Sequence, residues 1–180
     1  ACARLRAAPQ PDDFERRWLH AAAAVMAGAV QAATMEVHVT HALARFPGDA
    51  ALVMDRAVAA ELRAGPDVRS PSGLRPPDGR LDLVMSRMQQ AAEHAEYRSE
   101  AYLRMGYTAL RRGSAEDALR QLALPAESPD PAIRYLAQLF RGRAFDRLNR
   151  PDDAVRAYEA AVAVVPGAQT AEIALAAARE

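Results

Sequence analysis

Two landmarks in the second half of the chain recur at one interval. Gly106 is followed 36 residues later by Gly142, and Ala118 is followed at the same distance by Ala154. Each glycine lies within an apolar-periodic stretch, and each alanine lies within the next such stretch. A supersecondary unit repeated at a fixed period cannot bury its apolar face alone, so it closes by stacking on its neighbours. Composition selects the kind of unit. The chain of 180 residues is 51% hydrophobic but only 6% aromatic, and alanine is abundant. Alanine is the best helix former and β-branched residues are few, which favours closely packed helices over sheets. A chain of this length can bury a real core.

The stretch Tyr135 to Pro166 shows the unit most clearly. It reads as two helices joined by a tight turn. Gly142 lets the two helices of the hairpin approach, Ala154 does so from the opposite helix, and Phe145 and Tyr158 fill the space between them. Asn149 tolerates the left-handed conformation that ends a helix. Pro151 suits the first turn of the next helix, and Pro166 stops that helix. The series Gln138-x2-Arg141-Gly142-x2-Phe145, Ala154-x3-Tyr158, Pro166 resembles the tetratricopeptide (TPR) pattern W-x2-L-G-x2-Y, A-x3-F, P, whose period is near 34 residues. Gln138 and Arg141 depart from the aromatic and the leucine.

The same register runs along the chain. Residues 1–11 read as a loose lead-in. Asp12 and Glu15 form a capping box for a helix over Asp13–Gly28 that carries Trp18, Leu19, Ala22, Ala23 and Met26 at helical spacing. A second helix is expected from Ala32 to Phe46, stopping at Pro47-Gly48. Asp49 then caps a helix over Ala50–Ala64. Residues 65–80, rich in Pro, Gly and Ser, read as a surface loop inserted within a hairpin, and the partner helix runs from Leu81 to Glu96. In the third unit Tyr102-x2-Met105-Gly106-x2-Ala109 is followed by Gly113 as helix end. Ser114 with Asp117 reads as a capping box, and Ala118-x3-Leu122 fills the second helix. Pro125 stands where the pattern wants a helical residue, so this helix is expected to stop about a turn early. Asp130 and Pro131 start the fourth unit, and Thr170 caps a terminal helix over 170–180 that covers the last hairpin.

The reading is therefore an all-α chain: an α-solenoid of about four TPR-like hairpins (14–47, 50–96, 99–130 and 135–166) plus a terminal helix, forming a single domain over 12–180. The resemblance is to bacterial TPR domains. It implies a right-handed superhelix whose concave face is lined by the first helix of each pair. It further implies groove slots at the second, fifth, ninth, twelfth and thirteenth positions of each unit. Counted from Ser99 and Tyr135, these hold Glu100, Leu103, Tyr107, Leu110 and Arg111, then Leu136, Leu139, Arg143, Asp146 and Arg147. Leu103, Tyr107, Arg111, Leu139, Arg143 and Arg147 are the candidate partner-binding residues, suited to an extended peptide bearing a carboxylate. The competing reading leaves the arginines solvated or pairs them with Asp146 and Glu100. The lysines and asparagines of family members that clamp a C-terminal carboxylate are absent from these slots.

Other chemistry finds little support in the residues. The formal net charge is +0 and every basic residue of the Lys/Arg class is Arg, as in GC-rich bacterial coding sequence. Nothing in that balance points to nucleic acid. His38 and His41 lie three apart near Glu36, but the carboxylate is off-phase for a shared metal, and HExxH is absent. The acidic pairs Asp12-Asp13, Glu116-Asp117 and Asp152-Asp153 fall at helix starts, where negative charge complements the dipole. There is no phosphate loop or nucleophile elbow, so neither an enzyme nor a cofactor is expected. No apolar run is long enough to span a bilayer. Cys2, following Ala1, admits a lipid-anchor reading, with an incidental cysteine favoured. Bacterial cytoplasm, periplasm and cell surface all remain open. The expected function is a non-catalytic scaffold for a protein or peptide partner. The alternative is a self-assembling structural subunit.

Overall fold

The computed structural model describes residues 32–64 and 79–180. The expected helix over Asp13–Gly28, its capping box, Cys2 and most of the 65–80 loop lie outside the described residues. Among the described residues there are eight α-helices, one short 3-10 turn and no strand. The helices are α1 (Ala32–Leu43), α2 (Ala50–Ala64), α3 (Gly79–Ala92), α4 (Arg98–Arg112), α5 (Ala115–Leu122), α6 (Pro131–Arg147), α7 (Pro151–Val164) and α8 (Gln169–Ala178). The chain, read from sequence as one repeat domain, divides between Tyr97 and Arg98 into two compact units.

The first unit packs α1 on α2 and α2 on α3. Asp49 caps α2, its carboxylate accepting from the backbone N–H groups of Ala51 and Leu52 at 3.1 Å each. This satisfies two donors that have no partner inside the helix. Ala57, Val84 and Met88, the residues at the small-residue and A-x3-F slots, are fully buried. Arg56 donates to Gln90 Oε1 at 2.8 Å, tying α2 to α3, and Arg63 pairs with Glu36, tying α2 to α1. α3 starts two residues earlier than expected. It also ends at Ala92 rather than Glu96, the chain turning through bonds such as His94 N–H to the Ala91 carbonyl.

The second unit shows the repeat in atomic terms. α4 and α6 end in the same way, 36 residues apart. Gly113 (φ 80°) and Asn149 (φ 54°) are left-handed. Their N–H groups bond to the carbonyls of Leu110 and Asp146, and the next N–H groups, of Ser114 and Arg150, reach back to Ala109 and Phe145. That double bond pattern closes a helix end by satisfying carbonyls that would otherwise be orphaned. The glycines inside the hairpins also match. A Cβ on Gly106 would collide with the Leu122 side chain, and one on Gly142 would collide with the Tyr158 ring. Leu122 and Tyr158 are themselves 36 residues apart, and both are buried. A missing Cβ on one helix thus admits a large side chain from the other, twice in the same register.

Proline shapes the connections. α5 stops at Leu122 and Pro125 opens the 3-10 turn Pro125–Glu127, so the second helix of this hairpin is short, as expected. Asp130 accepts from Ala132 N–H at 2.8 Å and Ile133 N–H at 3.4 Å, with Pro131 in the first turn of α6. Two expected caps are corrected. Ser114 precedes α5 but makes no side-chain cap bond, because its backbone (φ −95°, ψ 81°) already closes the end of α4. Thr170 lies inside the first turn of α8, not at its cap. The chain leaves Gly167 at φ 81°, and the helix begins after Ala168, whose carbonyl accepts from the N–H groups of Ala171 and Glu172.

Candidate functional site

The six residues expected to line a groove fall in the second unit, on α4 and α6, and the structure sorts them into three groups. Leu103 and Leu139 are buried, at 6% and 3% exposure. Leu103 packs in the core around Leu122, and Leu139 packs in the core around Tyr158. They hold the hairpins together and present no surface to a partner. Arg147 donates from a guanidinium nitrogen to the carbonyl of Leu110 near the end of α4. A cation at a helix C-terminus meets the negative end of the dipole, so this arginine fastens α6 to α4.

The remaining three residues converge on an aromatic stack. The Tyr107 ring of α4 lies against the Phe140 ring of α6, with centroids 5.1 Å apart and planes inclined by 26°. The Arg111 guanidinium lies 5.9 Å from the Tyr107 centroid, one helical turn along α4. That of Arg143 lies 5.5 Å from the Phe140 centroid. Each is within the range in which a cation is drawn to a ring face. Both rings are half-buried and Arg143 is exposed. Two carboxylates that competed for these arginines are engaged elsewhere. Glu100 pairs with Arg104 at 2.8 Å, and Asp146 accepts the Tyr158 hydroxyl proton bond. Among the described residues, Arg143 forms no ion pair.

Phe140 was not among the candidates. The pattern of groove slots passes over its position, one residue after Leu139. The sequence signal was an aromatic set three residues before Arg143, on the same helical face.

Around this stack the electrostatics are structural. Burial, and then the hydrogen bond to Asp146, push the Tyr158 hydroxyl well above its ordinary 10.0. Asp153 is held below the ordinary carboxylate value, first by its hydrogen bond from Arg150 at 2.7 Å and also by Arg156. Arg150 in turn lies 4.8 Å from the Phe145 centroid. Asp152 and Asp153 occupy the first turn of α7, and Glu116 and Asp117 that of α5. Among the described residues no three His, Cys, Asp or Glu side chains converge to hold a metal. No described helix is long and apolar enough to cross a membrane.

Helix pairs repeated in one register, with small residues at the points of closest approach, define a TPR-like helical repeat fold in the all-α solenoid class. A solved structure titled MamA MSR-1 C2, a TPR-containing protein, matches this chain with a TM-score of 0.62 and 16% identity, covering 92% of this chain and 86% of that one. At that identity the likeness shows the fold alone. No protein-family model matches the chain, and no curated protein matches it in sequence.

Proposed function

We propose that the protein is a non-catalytic interaction scaffold of the TPR family. In this reading the unit Arg98–Glu180 binds a peptide segment that carries a carboxylate next to an aromatic or aliphatic side chain. The observation that carries it is the Tyr107–Phe140 stack flanked by Arg111 and Arg143. Half-buried rings offer apolar contact at low conformational cost, because their positions are already set by the two helices. An exposed guanidinium beside them offers paired donors that match a carboxylate. Arg143 also has no ion pair of its own to break among the described residues.

Selection of a peptide display library against the protein tests this reading. Enrichment of Asp or Glu beside an aromatic or aliphatic residue is expected. Affinity should fall about tenfold, near 1.4 kcal/mol, in Arg143→Ala and in Tyr107→Ala. Selection that is unchanged in both variants overturns the proposal. Light scattering over a concentration series addresses the alternative of a self-assembling subunit, which a monomer across the series would disfavour.

A further inference from the structure

In the first unit a charge stands at a packing position. One residue before the small-residue slot, where the TPR pattern has leucine, α4 carries Met105, which is 1% exposed. At the same place α2 carries Arg56 and α6 carries Arg141. The second helices share a slot three residues after the one held by Val84, Ala118 and Ala154. It holds buried Ala157 on α7, Gln121 on α5 and Arg87 on α3. Of the hairpins α2–α3, α4–α5 and α6–α7, the first alone has arginine in both places. There a terminal nitrogen of Arg56 reaches across to donate to Gln90 Oε1 of α3 at 2.8 Å. Arg87 lies three residues before Gln90, one turn away on the same helical face. The positions three and four away from either arginine on its own helix hold no acid. Glu36 of α1 acts on Arg56 but is bonded to Arg63. Among the described residues neither Arg56 nor Arg87 forms an ion pair, and the Arg56 Nε is buried without an acceptor. Burial, and then the charge of Arg87, hold the Arg56 guanidinium below its ordinary value against the pull of Glu36. Two like charges gathered at a helix pair, one of them partly desolvated, cost stability unless something offsets them.

We infer that the α2–α3 hairpin binds a phosphate group between the Arg56 and Arg87 guanidiniums, with the Gln90 amide as a third donor. Gln90 accepts from Arg56 through its oxygen, which leaves its amide nitrogen to donate. Guanidinium forks present paired donors that match phosphate oxygens. The terminal nitrogens, not the covered Nε, meet the ligand. Arg56 and Arg87 are partly exposed and Gln90 is exposed, so a small anion reaches them without parting the helices. The pair of cations sets the charge of the ligand. A dianion offsets both, whereas a single carboxylate offsets one.

Calorimetric titration of the full chain with inorganic phosphate and with free phosphoserine tests the site, with acetate as the singly charged control. Saturable binding of a phosphate probe is expected, with acetate at least tenfold weaker. Tighter binding of phosphoserine assigns a phosphomonoester as ligand, and equal or weaker binding assigns the free ion; both support the site. Arg87→Gln, which brings in the residue that α5 has at this slot, should weaken binding at least tenfold. Arg56→Met, which brings in the residue of α4, should abolish it. Without phosphate, Arg56→Met should also unfold at a temperature about 2–4 °C higher, because the covered charge and its repulsion are gone. No saturable binding of either phosphate probe overturns the inference, as does acetate binding equally well or binding unchanged in either variant. A lower unfolding temperature in Arg56→Met also overturns it, since the chain alone would then already stabilise that charge.

Discussion

At the scale of single residues, the packing of each hairpin in the second unit turns on the absence of one carbon atom. Glycine inside a helix normally gains up to about 1 kcal/mol when replaced by alanine. At Gly106 and Gly142 the sign should invert, because the new Cβ meets buried Leu122 or buried Tyr158. Each alanine variant is expected to lose about 1–3 kcal/mol in denaturant unfolding, the usual cost of overpacking. Tyr158 offers a second test. A group held above its ordinary value keeps its proton longer in the folded state than in the unfolded chain. Its contribution is complete below the unfolded value of 10.0 and is lost as pH rises from there through the folded value. Tyr158→Phe should lose about 1 kcal/mol at neutral pH and should show a shallower decline of stability above pH 10. These residues were legible in sequence because their small-against-large pairing is what the repeat pattern records. Phe140 was not, because its role depends on where two helices bring their side chains together. A slot number on a helix does not report burial, and Leu103 and Leu139, expected in the groove, lie in the hairpin cores.

At the scale of elements, most boundaries were legible where a residue of restricted backbone marks them, although α1 ends at Leu43, three residues before the Phe46 expected from Pro47-Gly48. Gly113, Asn149, Pro131 and Pro151 each stand at the helix end or start expected of them. The end of α3 was placed four residues too late, because Glu93–Tyr97 contains neither Gly nor Pro to signal a stop. Serine and threonine misled for a related reason. A side chain suited to capping is used only where the backbone aims it at free amides, which Asp49 and Asp130 achieve and Ser114 does not. Asp130→Ala and Asp49→Ala should each cost about 1 kcal/mol, whereas Ser114→Ala should stay within a few tenths. Thermal unfolding of the three variants side by side checks the contrast. Equal losses would show that the Ser114 hydroxyl contributes as a cap after all.

For the whole molecule, the helical repeat class was legible in the 36-residue recurrence and is matched by a solved TPR-containing structure at 16% identity. The division between Tyr97 and Arg98 carries no such signal, since no Pro-, Gly- or Ser-rich stretch marks it. In the proposed reading, packing residues and recognition residues lie on the same helices. α4 and α6 each bury a leucine and a glycine, and they also carry the stacked rings and their arginines. The most direct test of recognition is a nuclear magnetic resonance titration of the labelled full chain with an acidic, aromatic-containing peptide taken from the library selection. The account predicts saturable shift changes centred on Tyr107, Arg111, Phe140 and Arg143, and their loss in Arg143→Ala. Shift changes centred elsewhere, or the same changes in Arg143→Ala, would contradict it.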